Sequence, residues 1–255
     1  MRWNKVEGFK AAVVNEVEKL YKKKKISVAA IVSLIFIVIG QFTIVGLRSG
    51  FGIRGTSSAE FPILVLSIVI NSILPLFTAL VTIDSFSGEF SQNTMKITIT
   101  RPISRLKFFT AKIVAIMLFV LANLLFVMIF SIITGLIFNS NSFTFQGIIK
   151  IFLCYIVSIL PMMILSLIII VFCNILKGGT GVFFLSVLVF IAFKAMEIVF
   201  SRYSGIFITS MLNWYGLWTM SNFPFMKIFR QLMMMCGYGI LFFTAGYYLF
   251  DKKEF

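Results

Sequence analysis

The 255-residue sequence contains no histidine. That absence removes His-based catalytic triads, His metal ligands and His proton relays together. Acidic residues are scarce, nine Asp and Glu in all, so carboxylate clusters for acid–base chemistry or metal binding have little to draw on. The three cysteines, Cys154, Cys173 and Cys236, lie far apart inside apolar runs. Their spacing gives neither a disulfide framework nor a CxxC metal site, and they read as small buried hydrophobes. Charge of either sign is low: 13% of residues, where a soluble domain carries about a quarter. What fills the space is apolar, 60% of the chain with a mean hydropathy of +1.03. Too few solvating side chains remain for water, and the composition is that of an all-α polytopic integral membrane protein.

Crossing a hydrocarbon core about 30 Å thick takes about 20 apolar helical residues. Six runs qualify, at about 26–47, 61–83, 108–138, 148–173, 181–200 and 230–250. The chain divides into an N-terminal segment, 1–25, and a single six-span domain, 26–255. With the N-terminus inside, the cytoplasmic segments and their flanks hold 8, 5, 1 and 2 Lys or Arg against 6 outside. That bias follows the positive-inside rule and an even number of spans returns the C-terminus to the cytoplasm, so the expected location is the plasma membrane. The net charge of +14 is thereby explained by topology, and no nucleic-acid partner is needed. No internal repeat or inverted symmetry is seen.

Ahead of the first span, Trp3, Val6, Phe9, Val13, Val17 and Leu20 recur at steps of three and four, with Lys5, Glu7, Glu16 and Lys19 on other faces. This is an amphipathic helix too polar to span. Two placements suit it: in the interface plane, with Trp3 and Phe9 dipping inward and lysines toward headgroups, or packed on another subunit. About 25 mixed residues before the first apolar run do not resemble a cleavable signal, so this segment is expected to be retained.

The segment Asp84 to Lys107 is the most distinctive in the chain. It reads as a short helix after Gly88, broken at Pro102, then a new helix capped by Ser104 that runs into the third span. A plain basic loop accounts for part of this, but not for acidic residues, polar residues, Arg-Pro and Ser-Arg in that order. The wording Gly88-Glu89, Thr94, Lys96, Pro102, Ser104-Arg105, Phe108-Phe109 and Lys112, with the ending Phe250-Asp251-Lys252-Lys253, resembles the ABC-2 type permeases of ATP-binding-cassette transporters. The resemblance covers essentially the whole chain. It implies a cytoplasmic coupling helix between spans 2 and 3, docking through Gly88, Glu89, Thr94, Lys96, Arg101, Pro102 and Arg105 on a separate ABC ATPase subunit. It also implies short external re-entrant helices within Ser201–Phe229, where Trp214, Tyr215 and Trp218 independently suit the headgroup level. A second permease copy or a sister permease would complete the membrane part. Among related permeases the phenol-soluble modulin exporters and lantibiotic-immunity permeases are the nearest types.

No P-loop is present: Gly178-Gly179-Thr180-Gly181 lacks the Gly-Lys pair that wraps phosphates. The chain is expected to be no enzyme and to hold no cofactor, with ATP and Mg bound by the partner ATPase.

In the second span Asn71, Pro75, Thr78 and Thr82 fall on one helical face, a stripe that either glues helices together or lines a path. In the fifth, Lys194 and Glu197 stand three apart and can pair; Lys194 either snorkels or meets substrate. The resemblance tips these toward a path, since the second and fifth spans of related permeases face each other around the translocation route, and it implies a substrate path at Asn71, Thr78, Thr82, Lys194 and Glu197. Pro161 should kink the fourth span.

Three function classes compete. An ABC exporter permease for an apolar or amphipathic substrate, a membrane-active peptide or toxin above all, leads. An ion-coupled secondary transporter needs ionisable groups deep in the spans, and apart from Lys194 and Glu197 there are almost none. An intramembrane enzyme needs paired carboxylates or a nucleophile with its base, and Asp84 with Glu89 is the only acidic pair in reach.

Overall fold

The computed structural model describes residues 5–51, 60–91, 104–138, 144–176, 178–220 and 222–253. Thr94, Lys96, Arg101 and Pro102 lie outside the described residues. Among those described, five helices are long and apolar enough to cross a membrane, and a bent pair brings the number to six when its two helices are taken as one span, as they are below. The amphipathic α1 is Lys5–Tyr21 and the first span α2 is Lys24–Phe51. The second span is the pair α3, Glu60–Asn71, and α4, Ile73–Ser91, bent by 45°. Next come α5, Arg105–Phe138, and a fourth span in two parts, α6, Phe145–Val157, and α7, Ile159–Ile175. The fifth span α8 is Gly179–Val199, and the sixth, α10, is Phe225–Asp251. Between them the chain forms a 3-10 helix at Ser201–Ile206, a single turn α9 at Ile208–Met211 and a second 3-10 helix at Leu212–Trp218.

The fourth span is the bundle's centre, with α4, α5, α8 and α10 all packing on it, while α2, α8 and α10 keep most of their apolar surface outward. Outward apolar surface is what lipid solvates, so these helices need no water-driven burial. Polar and aromatic ties cross between these elements. The Tyr155 hydroxyl donates to the Pro62 carbonyl at 2.9 Å and lies 3.2 Å from Ser131 Oγ. Asn174 Nδ2 donates to the Gly246 carbonyl at 3.3 Å, and a Cβ on Gly246 would stand 3.4 Å from Phe109 and Ile170, so glycine sets how closely α10 approaches. Phe109 itself is fully buried, with the rings of Phe86, Phe243, Tyr247 and Phe250 at centroid distances of 5.4–5.7 Å.

Both breaks in the spans have the same cause, and it is a short repeat that a search on the scale of whole spans overlooks. Ser72-Ile73-Leu74-Pro75 and Ser158-Ile159-Leu160-Pro161 are identical tetrapeptides. Each proline lacks an N–H and crowds the carbonyl four residues back, and each serine hydroxyl returns to its own i−4 carbonyl, Ile68 or Cys154. The helix is interrupted at the serine both times, yet α6 and α7 remain one continuous span. The first break is flanked by Asn71, whose amide donates to the Ser67 carbonyl and to Asn213 Oδ1 at 2.8 Å. The halves that follow the two prolines, α4 and α7, pack on each other.

Four sequence readings are corrected here. The helix of the second span does not stop at Ile83 and restart after Gly88, but runs unbroken to Ser91, because its polar residues face basic partners described below. Glu16 is not on an outward face of α1: with Ala12 and Leu20 it forms a buried stripe, and α1 packs on α5. Trp214 does not turn its ring outward but closes the bundle end at 2% exposure, against Met211, Ile228 and Met235. Cys154 and Cys173 are buried as expected, whereas Cys236 is exposed on the outer side of α10.

Candidate functional site

The end of the bundle that carries α1 and the C-terminal turn of α10 also carries most of the ion pairs. At its centre is Lys112, about two turns into α5 and fully buried. Its ammonium donates to Glu16 Oε2 at 2.8 Å, Glu89 Oε2 at 2.7 Å and the Ser85 carbonyl at 2.8 Å. Three donors thus meet three acceptors, which is the full capacity of a lysine. The ring of Phe108 lies 4.8 Å from the charge. Lys19 closes the figure from α1, with Nζ 2.8 Å from Glu16 Oε1 and 3.0 Å from Glu89 Oε1. Two cations and two carboxylates alternate around a neutral ring joining α1, α4 and α5. A charge this deep is tolerated only when paired and hydrogen-bonded on every side.

Two further pairs flank it. Asp84 takes Lys25 at 2.8 Å and Lys23 at 3.8 Å, fastening α4 to the start of α2. Arg105, the first residue of α5, reaches the Asp251 carboxylate at 3.8 Å and also the Asp251 carbonyl, fastening the end of α10. The helix α5 begins directly after Ser104, whose carbonyl accepts the Phe108 N–H at 3.1 Å.

Burial alone would push the Glu16 carboxyl up, but the charge and hydrogen bond of Lys112, with Lys19 behind them, outweigh it and hold Glu16 below the usual carboxylate range. Burial alone would lower the Lys19 ammonium, and Glu16 with Glu89 outweigh it, so Lys19 is held above its usual value. A depressed carboxylate stabilises the fold above its unfolded pKa of about 4.3 and loses that contribution as pH falls through the folded value. A raised lysine stabilises below about 10.4 and loses it as pH rises through the folded value. Docking of α1 is therefore expected to be flat between roughly pH 5 and 10, and to loosen on further acidification as Glu16 is protonated. The distance between spin labels at Lys10 and Leu106, recorded at neutral and acid pH, checks this.

The arrangement resembles a hinge plate more than a reaction centre. It holds no nucleophile beside a base, and among the described residues no group of His, Cys, Asp or Glu is placed to hold a metal ion. What it does hold is the pair of stems, α4 and α5, on either side of residues 92–103, locked to each other and to α1. A family described as ABC-2 family transporter protein matches residues 12–193, well over half of the chain. The chain belongs to the ABC-2 transporter family. It is thus the transmembrane component of an ABC transporter, a multi-pass membrane protein that works with an ABC ATPase subunit. Comparison with curated proteins returns no match.

In this ABC-2 permease the residues selected from sequence do not form one site. Gly88, Glu89 and Arg105 sit at the locked end, with the Glu89 carboxylate turned inward to Lys112 and Lys19. Asn71 is at the bend and bound to Asn213. Thr78 and Thr82 are fully buried, with no hydrogen-bond partner for either hydroxyl among the described residues. Lys194 and Glu197 do pair, at 3.4 Å, toward the other end of α8. Between α4, α7 and α8 lies an almost wholly apolar cavity, lined by Pro75, Leu76, Ala79, Phe172, Val187 and Phe190 among others. None of Asn71, Thr78, Thr82, Lys194 or Glu197 lines it.

Sequence reasoning passed over Glu16, Lys19, Asp84, Lys23 and Lys25 as site residues, and took Lys112 only as part of a family-like wording. One signal was available. Lys112 stands inside the longest apolar helix, and a lysine there needs carboxylates, of which the preceding segment supplies Asp84 and Glu89.

Proposed function

We propose that the chain is the permease subunit of an ATP-driven exporter of an apolar or amphipathic substrate, with membrane-active peptides or toxins as the favoured class. The observation that carries the coupling part is the closed ring Lys112–Glu16–Lys19–Glu89. It makes α1, α4 and α5 one body, so a push on residues 92–103 is delivered to the second and third spans together. Thr94, Lys96, Arg101 and Pro102, on that segment, dock the ATPase in this reading, and Gly88, Glu89 and Arg105 pass the displacement inward. The excess of Lys and Arg at this end supports a cytoplasmic position for it and for both termini. ATP and Mg belong to the partner, and a second permease copy or a sister permease completes the membrane part.

Export of an apolar cargo is supported by the lining of the cavity between α4, α7 and α8, which offers no charge to recognise a polar solute. The buried hydroxyls of Thr78 and Thr82 and the Lys194–Glu197 pair become available to a substrate once the spans separate. By resemblance, phenol-soluble modulin export and lantibiotic immunity are the nearest kinds of transport.

The test is affinity purification of tagged protein from its native membrane in mild detergent. An ATPase subunit is expected to come with the wild type and to be lost from Lys96→Glu/Arg101→Glu, while the thermal midpoint of the permease stays within a few degrees. An ATPase retained unchanged by the double variant places the docking surface elsewhere and overturns the assignment.

A further inference from the structure

At the terminus-bearing end, α4 and α8 open around a cleft of about 840 Å³, part of it open to solvent, lined by Lys25, Asp84, Ser87, Gly179, Thr180 and Phe183 among others. Three features of it point to one kind of ligand. The 21-residue α8 starts here on Gly178, which gives no side-chain cap. The N–H groups of its first turn therefore have no acceptor within the helix and carry the positive end of its dipole. Ser87 is 1% exposed, and its Oγ has no hydrogen-bond partner among the described residues. That hydroxyl is aimed at the same turn: a Cβ placed on Gly179 would stand 3.7 Å from it. Gly178 and Gly181 leave open space where their side chains would be, so the backbone can be approached closely. Opposite stands Lys25; with Lys23 it shares the single carboxylate of Asp84, which leaves one positive charge uncompensated within that trio.

Glycine-flanked N–H groups, a buried hydroxyl and a lysine are the donor set that phosphate oxygens take. We infer that the cleft between α4 and α8 binds a phosphate group, seated on the N-terminus of α8 with Ser87 donating from the floor and Lys25 balancing charge from the rim. The surroundings extend the assignment. Leu80, Ile83 and Phe183 form the apolar side of the cleft, and further along the same two helices the apolar cavity begins at Ala79 and Ser186. A phosphate carried by a lipid thus finds its acyl chain beside the seam, whereas free phosphate uses the polar mouth alone. The site stands whether or not the chain exports a peptide: of its lining only Gly88 is also among the residues proposed for ATPase coupling, and neither variant below touches it.

The experiment counts ligands retained per chain by native mass spectrometry on purified full-length protein in detergent, with dioleoyl phosphatidic acid and dioleoylglycerol as probes and inorganic phosphate as competitor. Two variants are needed. Gly178→Asp places a carboxylate on the N–H groups a phosphate would use, and it keeps α8, because Asp is a favoured N-cap. Ser87→Ala removes one neutral donor. Wild type is expected to retain phosphatidic acid about tenfold better than dioleoylglycerol. Gly178→Asp should lose about tenfold and Ser87→Ala about fivefold, with unchanged or higher thermal midpoints. Displacement by excess inorganic phosphate identifies free phosphate as sufficient; retention against it identifies the lipid headgroup. Equal retention of both probes by wild type, or undiminished phosphatidic acid on Gly178→Asp, overturns the site.

Discussion

Replacing Lys112 by methionine is expected to cost roughly 3–5 kcal/mol, the usual effect of removing one partner from a buried ion pair. Methionine fills the lysine's volume, so the loss is not one of packing. It comes from Glu16 and Glu89, whose inner oxygens lie 2.8 and 2.7 Å from the same ammonium and would face each other with Lys19 alone between them. One of the two must take up a proton or swing to water, and either movement releases α1 from α5. The measurements are the thermal midpoint in detergent and the rate of tryptic cleavage in Lys22–Lys25, which should rise sharply. A second variant separates stability from transmission. Lys112→Met/Glu16→Gln/Glu89→Gln removes the three inner charges together, leaves the 38% exposed Lys19 to water, and should recover most of the midpoint, because a neutral replacement of a buried network is often tolerated. If the ring transmits force, the triple variant still binds the ATPase but no longer links hydrolysis to transport. Full transport by a stable triple variant would show that the ring only holds the fold together.

Phe109→Ala is the second large effect, expected at about 3–5 kcal/mol from lost contacts and an unfilled cavity. The ring sits directly under the ionic figure, between Phe86 of α4 and Phe243, Tyr247 and Phe250 of α10. Without it the close approach at Gly246 has nothing to press against, and the end of α10 should detach from α5 even though Arg105 and Asp251 are intact. Phe130, on the same helix but 37% exposed, is the control. Its change to Ala should stay within about 1 kcal/mol, since lipid replaces what is removed. Similar losses at the two positions would mean that α5 and α10 do not pack as described.

How much of this could be read from the chain follows from how local each interaction is. Hydropathy marks apolar runs that fall on the long helices, since lipid imposes it residue by residue along one helix, but it stops the second span's helix at Ile83 where the helix runs to Ser91. The Lys194–Glu197 pair and the start of α5 after Ser104 are equally local and were legible. Glu16 was misread because the partner that buries it, Lys112, is 96 residues away, and a helical wheel of α1 cannot display it. The continuation of α4 to Ser91 failed for the same reason. Asp84 and Glu89 look like solvent-seeking residues until Lys25, Lys19 and Lys112 are brought beside them. The bend at Ser72 was within reach, since Ser-Ile-Leu-Pro recurs at 158–161. That the two copies differ in bend was not, because Asn71 takes its partner from the distant Asn213.

The central claim is that this permease is driven by ATP hydrolysed in a partner and passed through the locked end of the bundle. Its most direct test is flux of a fluorescent amphipathic peptide into inverted membrane vesicles holding the permease and its ATPase. Flux is expected to require ATP, to persist when ionophores collapse the proton and sodium gradients, and to fall to background in the Lys112→Met/Glu16→Gln/Glu89→Gln variant. Flux that runs without ATP or ATPase and stops when an ion gradient is collapsed would contradict the account and make Lys194 and Glu197 the residues to examine.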